Sequence, residues 1–509
     1  MKRRLEGGAH GSRHRRPLSG MTPNRRRLLV PLVLIAAGAC SGVVSLGSEG
    51  GSVAGSGSTG AGSGGTGGTP GNGSGGGVVF ATTGSAAGAG GATTSTTSTG
   101  AGGDPVVSRS PSSSFEYDTS LALGSNGVVF VTWVGVPALQ AAFIGYAVSS
   151  DGGKTFPVVG TVPTPGGRLA DHPTLAVDAS DHVYLAWLGY VAGAGGTRTD
   201  THVYVAMAVP GSTTFSTAVE ASEPTGFTYA NPWVTVTPLG SALVTYQRSG
   251  AVDLGIVAAR SADLGTTWAT QVVATDPHLL NDRDLPYPCP SAISGRIFVT
   301  YFSDDPAVGT SVGIGWSDDD GVTWIPPAQS PPVTPNSNLE LVPLPPKCVA
   351  VESSVRVIFG YTLPPWSPDP SVLTAVPNLS WTDSVNDGTT FDLSNTALID
   401  LTGNDVLANP QLIGDGAGGF DLAYCVVDQG VGSYQWARAP SALSFGNGTS
   451  FAPSSTGLVA GVDFDASRTD STRLGDYTGL AASATTLFTS YVDNSLGASH
   501  IRVHVAQLQ

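Results

Sequence analysis

Three arginines are the side chains best suited to chemistry: Arg168, Arg283 and Arg473. Each lies within three residues of an aspartate, namely Asp171, Asp282 and Asp284, and Asp476. A planar guanidinium binds a carboxylate through two parallel hydrogen bonds. Such residues either hold an acidic ligand or form salt bridges that key neighbouring strands. Trp366 sits in the Pro-rich stretch Thr362–Ser371, where it can stack on a sugar ring or close as a lid over its own scaffold. Asp282, Asp284, Asp304 and Asp305 could supply oxygens to Ca²⁺, and surface acidity in an acidic chain accounts for them as well. His172 and His182 flank one hairpin, and the eight histidines show no metal-ligand spacing. No cofactor is expected, since there is no P-loop or dinucleotide fingerprint, and no G-x-S-x-G nucleophile elbow either. Cys289 and Cys348 could bridge in an oxidising compartment if their Cα atoms come within about 7 Å. Cys425, in an apolar run, reads as a buried thiol.

Composition narrows what these groups can serve. The chain has 509 residues, with Lys+Arg 23 against Asp+Glu 38 and a net charge of −15. Only Lys154 and Lys347 are lysines beyond residue 100. This argues against binding nucleic acid or anionic lipid through a basic patch. Charged residues make up 12%, about half the share in typical soluble proteins. Four cysteines rule out a disulfide-dense scaffold.

Three zones follow from the order of residues. In 1–40, Arg25, Arg26 and Arg27 precede an apolar run from Leu28 to Ala39, and Cys40 follows. The run has the length of a signal-peptide h-region and is too short to span a bilayer. It resembles a bacterial lipoprotein signal, which implies lipidation of Cys40 and an anchored domain in the cell envelope. The outer membrane is the expected site, with the domain periplasmic or extracellular. An ordinary cleaved signal is the alternative, and Ala37 stands where the lipoprotein pattern usually has Leu. Met1 and Met21 are both reasonable starts. Residues 41–104 are rich in Gly, Ser and Thr, with Glu49 and Asp104 the only charges. Such a composition cannot bury a core and reads as a disordered tether.

Residues 105–509 repeat. Short alternating apolar runs end in an aromatic anchor at Trp133, Trp187, Tyr246, Tyr301, Tyr361, Tyr424 and Tyr491, with spacings of 54, 59, 55, 60, 63 and 67 residues. Period-2 alternation broken by Gly, Asn or Asp predicts β-hairpins. After most anchors comes a second marker: SSDGGKTF from Ser149, SADLGTTW from Ser261 and SDDDGVTW from Ser317, with a worn SVNDGTTF from Ser384. Asp accepts backbone N–H bonds in tight turns, and Gly supplies backbone freedom. The structural set is Ser149, Asp151, Gly153, Phe156, Ser261, Asp263, Gly265, Trp268, Ser317, Asp319, Gly321 and Trp324. These motifs resemble the Asp-box, or BNR repeat, of the sialidase-like β-propellers, across essentially all of 105–509. The expected fold is therefore all-β: seven four-stranded antiparallel blades. The last blade would be completed by the N-terminal strand from residues 105–116, which closes the ring. Six blades, the number in the family's sialidases, is the alternative. A closed ring has no free edge, which favours a monomer.

The resemblance also implies a ligand over the central channel. The loops leading into the inner strands read EYDTS, RLADHPT, ANPW, DRDLPYP, PPKC, ANPQ and RLGDYTG. In the family's enzymes three arginines clamp a carboxylate, a Tyr–Glu pair supplies the nucleophile and an Asp the acid/base. By position Arg168, Arg283 and Arg473 could form the clamp, Tyr287 or Tyr477 the nucleophile, and Asp171 or Asp476 the acid. The family's aromatic-Arg-Ile-Pro motif is absent, and no Glu has an obvious pairing position; Glu340 is nearest. The expectation is thus a non-catalytic propeller that binds a glycan or surface protein. The alternative is an exo-sialidase-type glycoside hydrolase.

Overall fold

The computed structural model describes residues 104–108, 115–137, 141–194, 197–223, 226–250, 254–279, 286–291, 294–305, 309–329, 342–351, 354–362, 379–384, 390, 397–399, 406–414, 420–428, 431–439, 457–463, 478–493 and 499–507, with two short strands at 93–94 and 98–99. The chain is all-β: seven antiparallel sheets follow one another along these residues. Apart from the short strands 93–94, 98–99 and 105–106 on the outer edges of the first and last sheets, each is a meander whose first strand is the innermost. The inner strands are Phe115–Leu123, Leu169–Val177, Thr228–Val236, Tyr287–Pro290, Val342–Val351, Val406–Gly414 and Gly479–Ala482. Inner strands of consecutive sheets pack on one another, and that of the last sheet packs on that of the first.

The apolar core lies between sheets. Phe130, Ile144 and Tyr146 of the first sheet meet Leu185, Trp187 and Tyr204 of the second. Tyr184 and Leu188 of the second meet Val244 and Tyr246 of the third. Val107, Leu121, Val129 and Val131 pack with Phe488, Val492 and Val503 of the last sheet. The aromatic anchors belong to this layer: Trp187, Tyr246 and Tyr301 are fully buried. Their cross-strand neighbours explain two glycines. A Cβ on Gly145 would stand 2.4 Å from Trp133, and one on Gly313 would stand 2.2 Å from Tyr301. In the fifth sheet the register differs from the sequence expectation. In the first sheet Ser120 pairs with Thr132 and Trp133 comes next; in the fifth Lys347 pairs with Ile358, so the equivalent position falls to Phe359, and Tyr361 lies two residues further on.

The segments read above as loops leading into the inner strands lie largely within those strands. In five of them one extra residue interrupts the register: between Tyr117 and Ser120, Asp171 and Thr174, Ala230 and Trp233, Leu344 and Lys347, and Ala408 and Gln411. These are β-bulges. Proline, which has no N–H to donate, is tolerated at such a position. That reconciles His172-Pro173, Asn231-Pro232, Pro345-Pro346 and Asn409-Pro410 with a strand.

Hydroxyl groups beside the bulges tie sheet to sheet. Leu175 N donates to Ser120 Oγ at 3.0 Å and Val234 N to Thr174 Oγ1 at 3.0 Å. Thr245 Oγ1 donates to Pro286 O at 2.7 Å, Thr300 Oγ1 to Pro346 O at 3.2 Å, and Thr119 Oγ1 to Ser490 Oγ at 2.8 Å. Each buried hydrogen bond of this kind contributes about 1 kcal/mol net.

The N-terminal segment joins the last sheet. Val106 pairs with Arg502 as a further antiparallel strand, and Val107 N donates to Ile501 O at 2.9 Å. Asp104 accepts from Tyr491 Oη at 3.0 Å, and its carbonyl accepts from Arg502 Nη1 at 2.7 Å. The paired strand is Pro105–Val106, while Phe115 and Glu116 already belong to the first sheet's inner strand.

The three intact Ser-x-Asp-x-Gly-x-Thr segments share one geometry. The serine Oγ accepts from the glycine N at 2.9, 2.8 and 2.8 Å, at Gly153, Gly265 and Gly321. The aspartate accepts from the threonine N at 2.9, 2.9 and 2.8 Å and from its Oγ1 at 2.6 Å each time. All three glycines have φ near +80°, a conformation that favours glycine. Phe156 is buried under its turn, and Trp268 and Trp324 are half-buried. Each turn joins the third strand of its sheet to the fourth, so it lies at the end opposite the start of the inner strand.

Cys289 and Cys348 are bridged, with Cα atoms 5.8 Å apart. They sit on the inner strands of the fourth and fifth sheets, which pack side by side. This settles the question that the sequence left open. The bridge closes a sequence separation of 59 residues, for which chain entropy gives about 4 kcal/mol of stabilisation.

Two measurements check this architecture. Alkylation of the denatured chain after reduction should add two labels over the unreduced sample, and Cys289→Ser with Cys348→Ser should lose about 2–4 kcal/mol of stability. Equal labelling would show that the bridge does not form. The second concerns Asp263, whose carboxyl is held down to about 2 by hydrogen bonds from the Thr267 side chain, the Thr267 backbone and Ser261. A depressed carboxylate stabilises the fold above its unfolded value of about 3.9 and loses that contribution as pH falls toward 2. The melting-temperature gap between wild type and Asp263→Asn should therefore be widest at pH 6 and shrink below about pH 4.

Candidate functional site

Of the candidates, Arg168 and Asp171 lie at the start of the second sheet's inner strand, and Tyr287 opens that of the fourth. Arg168 leaves a short turn, Pro165–Gly167, just ahead of the second sheet's inner strand. Gly166 and Gly167 have φ of 70° and 68°. A Cβ on Gly166 would meet Arg168 Nη1 at 2.5 Å, so the glycine clears the path of the arginine. Arg168 does not pair with Asp171. Its Nη2 reaches Asp200 Oδ2 at 2.6 Å and His202 Nε2 at 3.1 Å, and its Nε donates to Asp200 O at 3.3 Å. His202 Nδ1 lies 2.6 Å from Glu220 Oε1. The ring of His202 stacks on Tyr204 with centroids 5.9 Å apart. Asp200 and Glu220 are 54% and 37% exposed in their side chains, so this array faces solvent.

Asp171 is fully buried and pairs with Arg198 Nη2 on the same sheet. Its Oδ1 accepts from His172 N at 2.9 Å. Burial alone would raise its carboxyl. The charges of Arg198 and His172, with the His172 backbone N–H and the Tyr117 hydroxyl, outweigh that and hold it below the ordinary value. It is thus kept as a carboxylate, whereas a general acid needs a raised pKa. The Arg198 guanidinium lies 5.4 Å from the Tyr190 ring centre. Burial, then the Asp171 charge, pushes the Tyr190 hydroxyl up to about 12. Tyr117 is raised well above the ordinary tyrosine value, by burial and then by the Asp171 charge.

The pairs made by Arg168 and Arg198 therefore lie within the second sheet. Arg260 of the third sheet, by contrast, reaches Asp320 in the Ser317–Trp324 turn of the fourth, alongside the hydroxyl bonds and the disulfide that tie sheet to sheet.

Tyr287 lies deeper and serves packing. Its Oη donates to Leu412 O at 3.2 Å, and its ring is 4.7 Å from that of Trp233. Burial raises its hydroxyl well above the usual tyrosine range. Lys347 Nζ stands 3.6 Å over the Trp233 ring and 4.4 Å over that of Tyr287. These residues share a register position on consecutive sheets, the first after the bulge on the third and fifth; Gln411 follows on the next. Desolvation lowers the Lys347 ammonium well below its ordinary value, and the two ring faces supply cation–π attraction. Arg283, Arg473, Asp476, Tyr477, Trp366, Glu340 and Cys40 lie outside the described residues, as do the side chains of Asp282, Asp284, Asp304, Asp305 and Cys425.

Sequence reasoning missed Asp118, Arg198, Asp200, His202, Asn231 and Lys347. One signal could have found part of this set. The residue before the proline or threonine of each leading segment (Asp118, His172, Asn231) takes the bulge position, with φ of 48°, 52° and 55°. All three side chains are 1% exposed.

No family model and no curated protein matches this chain. Solved structures do match. An ulvan lyase, described as a new family of polysaccharide lyase, aligns at 10% identity over 78% of this chain and 94% of its own, with a TM-score of 0.50. A protein of unknown function from Dyadobacter fermentans aligns at 15% identity over 80% and 99%, with a TM-score of 0.47. The Trypanosoma rangeli sialidase bound to the inhibitor DANA aligns at 14% over 65% and 55%, with a TM-score of 0.44. At 10% identity the likeness to the lyase concerns the fold alone: this chain is an all-β protein of four-stranded antiparallel sheets with a β-propeller architecture.

Proposed function

We propose that residues 104–509 form a seven-bladed propeller, closed by pairing of the N-terminal strand into the last blade, that binds a glycan without transforming it. The observation that carries this reading is the local neutralisation of the described site groups. Arg168 is engaged by Asp200, and Asp171 by Arg198. A clamp for a sugar carboxylate needs guanidinium charge directed at the ligand. Here the exposed array of Arg168, Asp200, His202 and Glu220 beside Tyr204 offers balanced donors and acceptors. Such a surface suits the vicinal hydroxyls of a neutral sugar. We further infer that Cys40 is the lipidated residue of a lipoprotein signal and that residues 41–103 tether the propeller to the cell envelope.

Binding of the full chain to a panel of neutral and sialylated oligosaccharides tests the first part, with hydrolysis of a fluorogenic sialoside run alongside. Saturable binding to neutral glycans is expected, weakened about tenfold or more in Arg168→Ala, since a hydrogen bond to a charged group contributes about 1.5–3 kcal/mol. Turnover of the sialoside, or equal binding by Arg168→Ala, would sink the reading; turnover would instead favour an exo-sialidase. For the anchor, the wild-type chain expressed in a bacterial host should enter the detergent phase on Triton X-114 partition and Cys40→Ser the aqueous phase. Identical partition would remove the anchor from the account.

A further inference from the structure

The first three inner strands bring metal-ligating groups together at a place that the proposed glycan surface does not use. Asp118 lies on the first sheet, and Asp171 and His172 on the second. One ligand atom from each lies within 4.8 Å of the others, and all three residues are buried. Asp118 Oδ2 stands 3.8 Å from His172 Nε2. That is beyond hydrogen-bond range, yet within the span of two ligands on one ion, each at about 2.0–2.2 Å. An ion among the three atoms could reach all of them with shifts of under about an ångström.

A second observation points the same way. Asn231 is the bulge residue of the third inner strand, with the same left-handed backbone as Asp118 and His172. Equivalent backbone at an equivalent register sends its side chain in the same direction as theirs. It is 1% exposed, and neither Oδ1 nor Nδ2 has a hydrogen-bond partner. A buried amide left unsatisfied costs about 1–3 kcal/mol, and its carbonyl oxygen is an ordinary metal ligand.

We propose that Asp118, Asp171 and His172, with Asn231 Oδ1 completing the shell, bind one divalent first-row transition cation, Zn²⁺ or Mn²⁺, which ties together the inner strands of the first three sheets. Two carboxylates, one imidazole and one amide oxygen form a mixed N/O set. Imidazole suits Zn²⁺, and the oxygens suit Mn²⁺. The two carboxylates balance the charge of the ion, and Arg198, paired with Asp171, leaves the cluster with one net positive charge. The ligands come from three strands, which is why no spacing in the sequence announced them.

The test is metal content and stability of the full chain, purified without chelator and compared with Asp118→Asn and His172→Gln. About one equivalent of metal per chain is expected. Dialysis against a chelator should lower the melting temperature by several degrees, and Zn²⁺ or Mn²⁺, but not Mg²⁺, should restore it. Both variants should retain less than about a tenth of the metal. X-ray absorption on the wild-type chain should show one imidazole nitrogen among oxygen ligands, a readout independent of whether the variants fold. Less than about 0.1 equivalent in the wild type with no thermal response to either ion would overturn the site. Full retention by both variants, or a first shell without imidazole, would do so too.

Discussion

One backbone irregularity governs the arrangement of the inner strands: a single extra residue set at the same register in the five whose described residues span that position. Without it, an inner strand would run as a plain ladder and its prolines could not be accommodated. With it, a carbonyl is turned out of the ladder and offered to the neighbouring sheet. Thr300 uses this directly by donating to Pro346 O. Beyond the bulge, Cys289 and Cys348 stand with their Cα atoms 5.8 Å apart on the fourth and fifth inner strands. Apolar layers between the sheets supply most of the stabilisation, because burial is large and non-directional. The bulge and its hydroxyl partners supply the registration that burial alone lacks.

The same device concentrates polarity at the centre. A residue held with positive φ and a buried side chain is costly for anything but glycine. Asp118, His172 and Asn231 all bear that cost at equivalent places. At the next register position the chain instead places Trp233, Tyr287, Lys347 and Gln411. Lys347 stands there over the Trp233 and Tyr287 ring faces. Among the described residues the bulge positions of the first three sheets are thus polar, and the position that follows on the third to fifth is taken by two aromatic rings and a buried lysine.

What was readable in the residue order was local. The S-x-D-x-G-x-T turns spend their hydrogen bonds within seven residues, so three intact copies could be seen directly. The anchors were readable through alternation, except in the fifth sheet, where Phe359 takes the register position and Tyr361 matches only by type. The leading segments were misjudged as loops because proline argues against a central strand unless a bulge is foreseen. Ion-pair partners were the least legible. Arg168 has an aspartate three residues away and chooses Asp200, since successive positions near a bulge point in different directions. Asp171 likewise takes Arg198 from the strand that lies two places away in its sheet. Proximity along the chain carries little information once side chains are sorted by strand and face.

The manner in which the chain enters its last sheet has a geometric consequence. Pro105–Val106 runs antiparallel to His500–Gln507, so the polypeptide arrives at the end where the third strands finish. That is the end bearing the serine–aspartate turns. Any tension applied through residues preceding Asp104 would pull on this end and on the edge pairing with Arg502, Tyr491 and His504. A leash on that side would orient the molecule passively, with its turns toward the attachment point and the Arg168–Asp200–His202 array toward the surroundings.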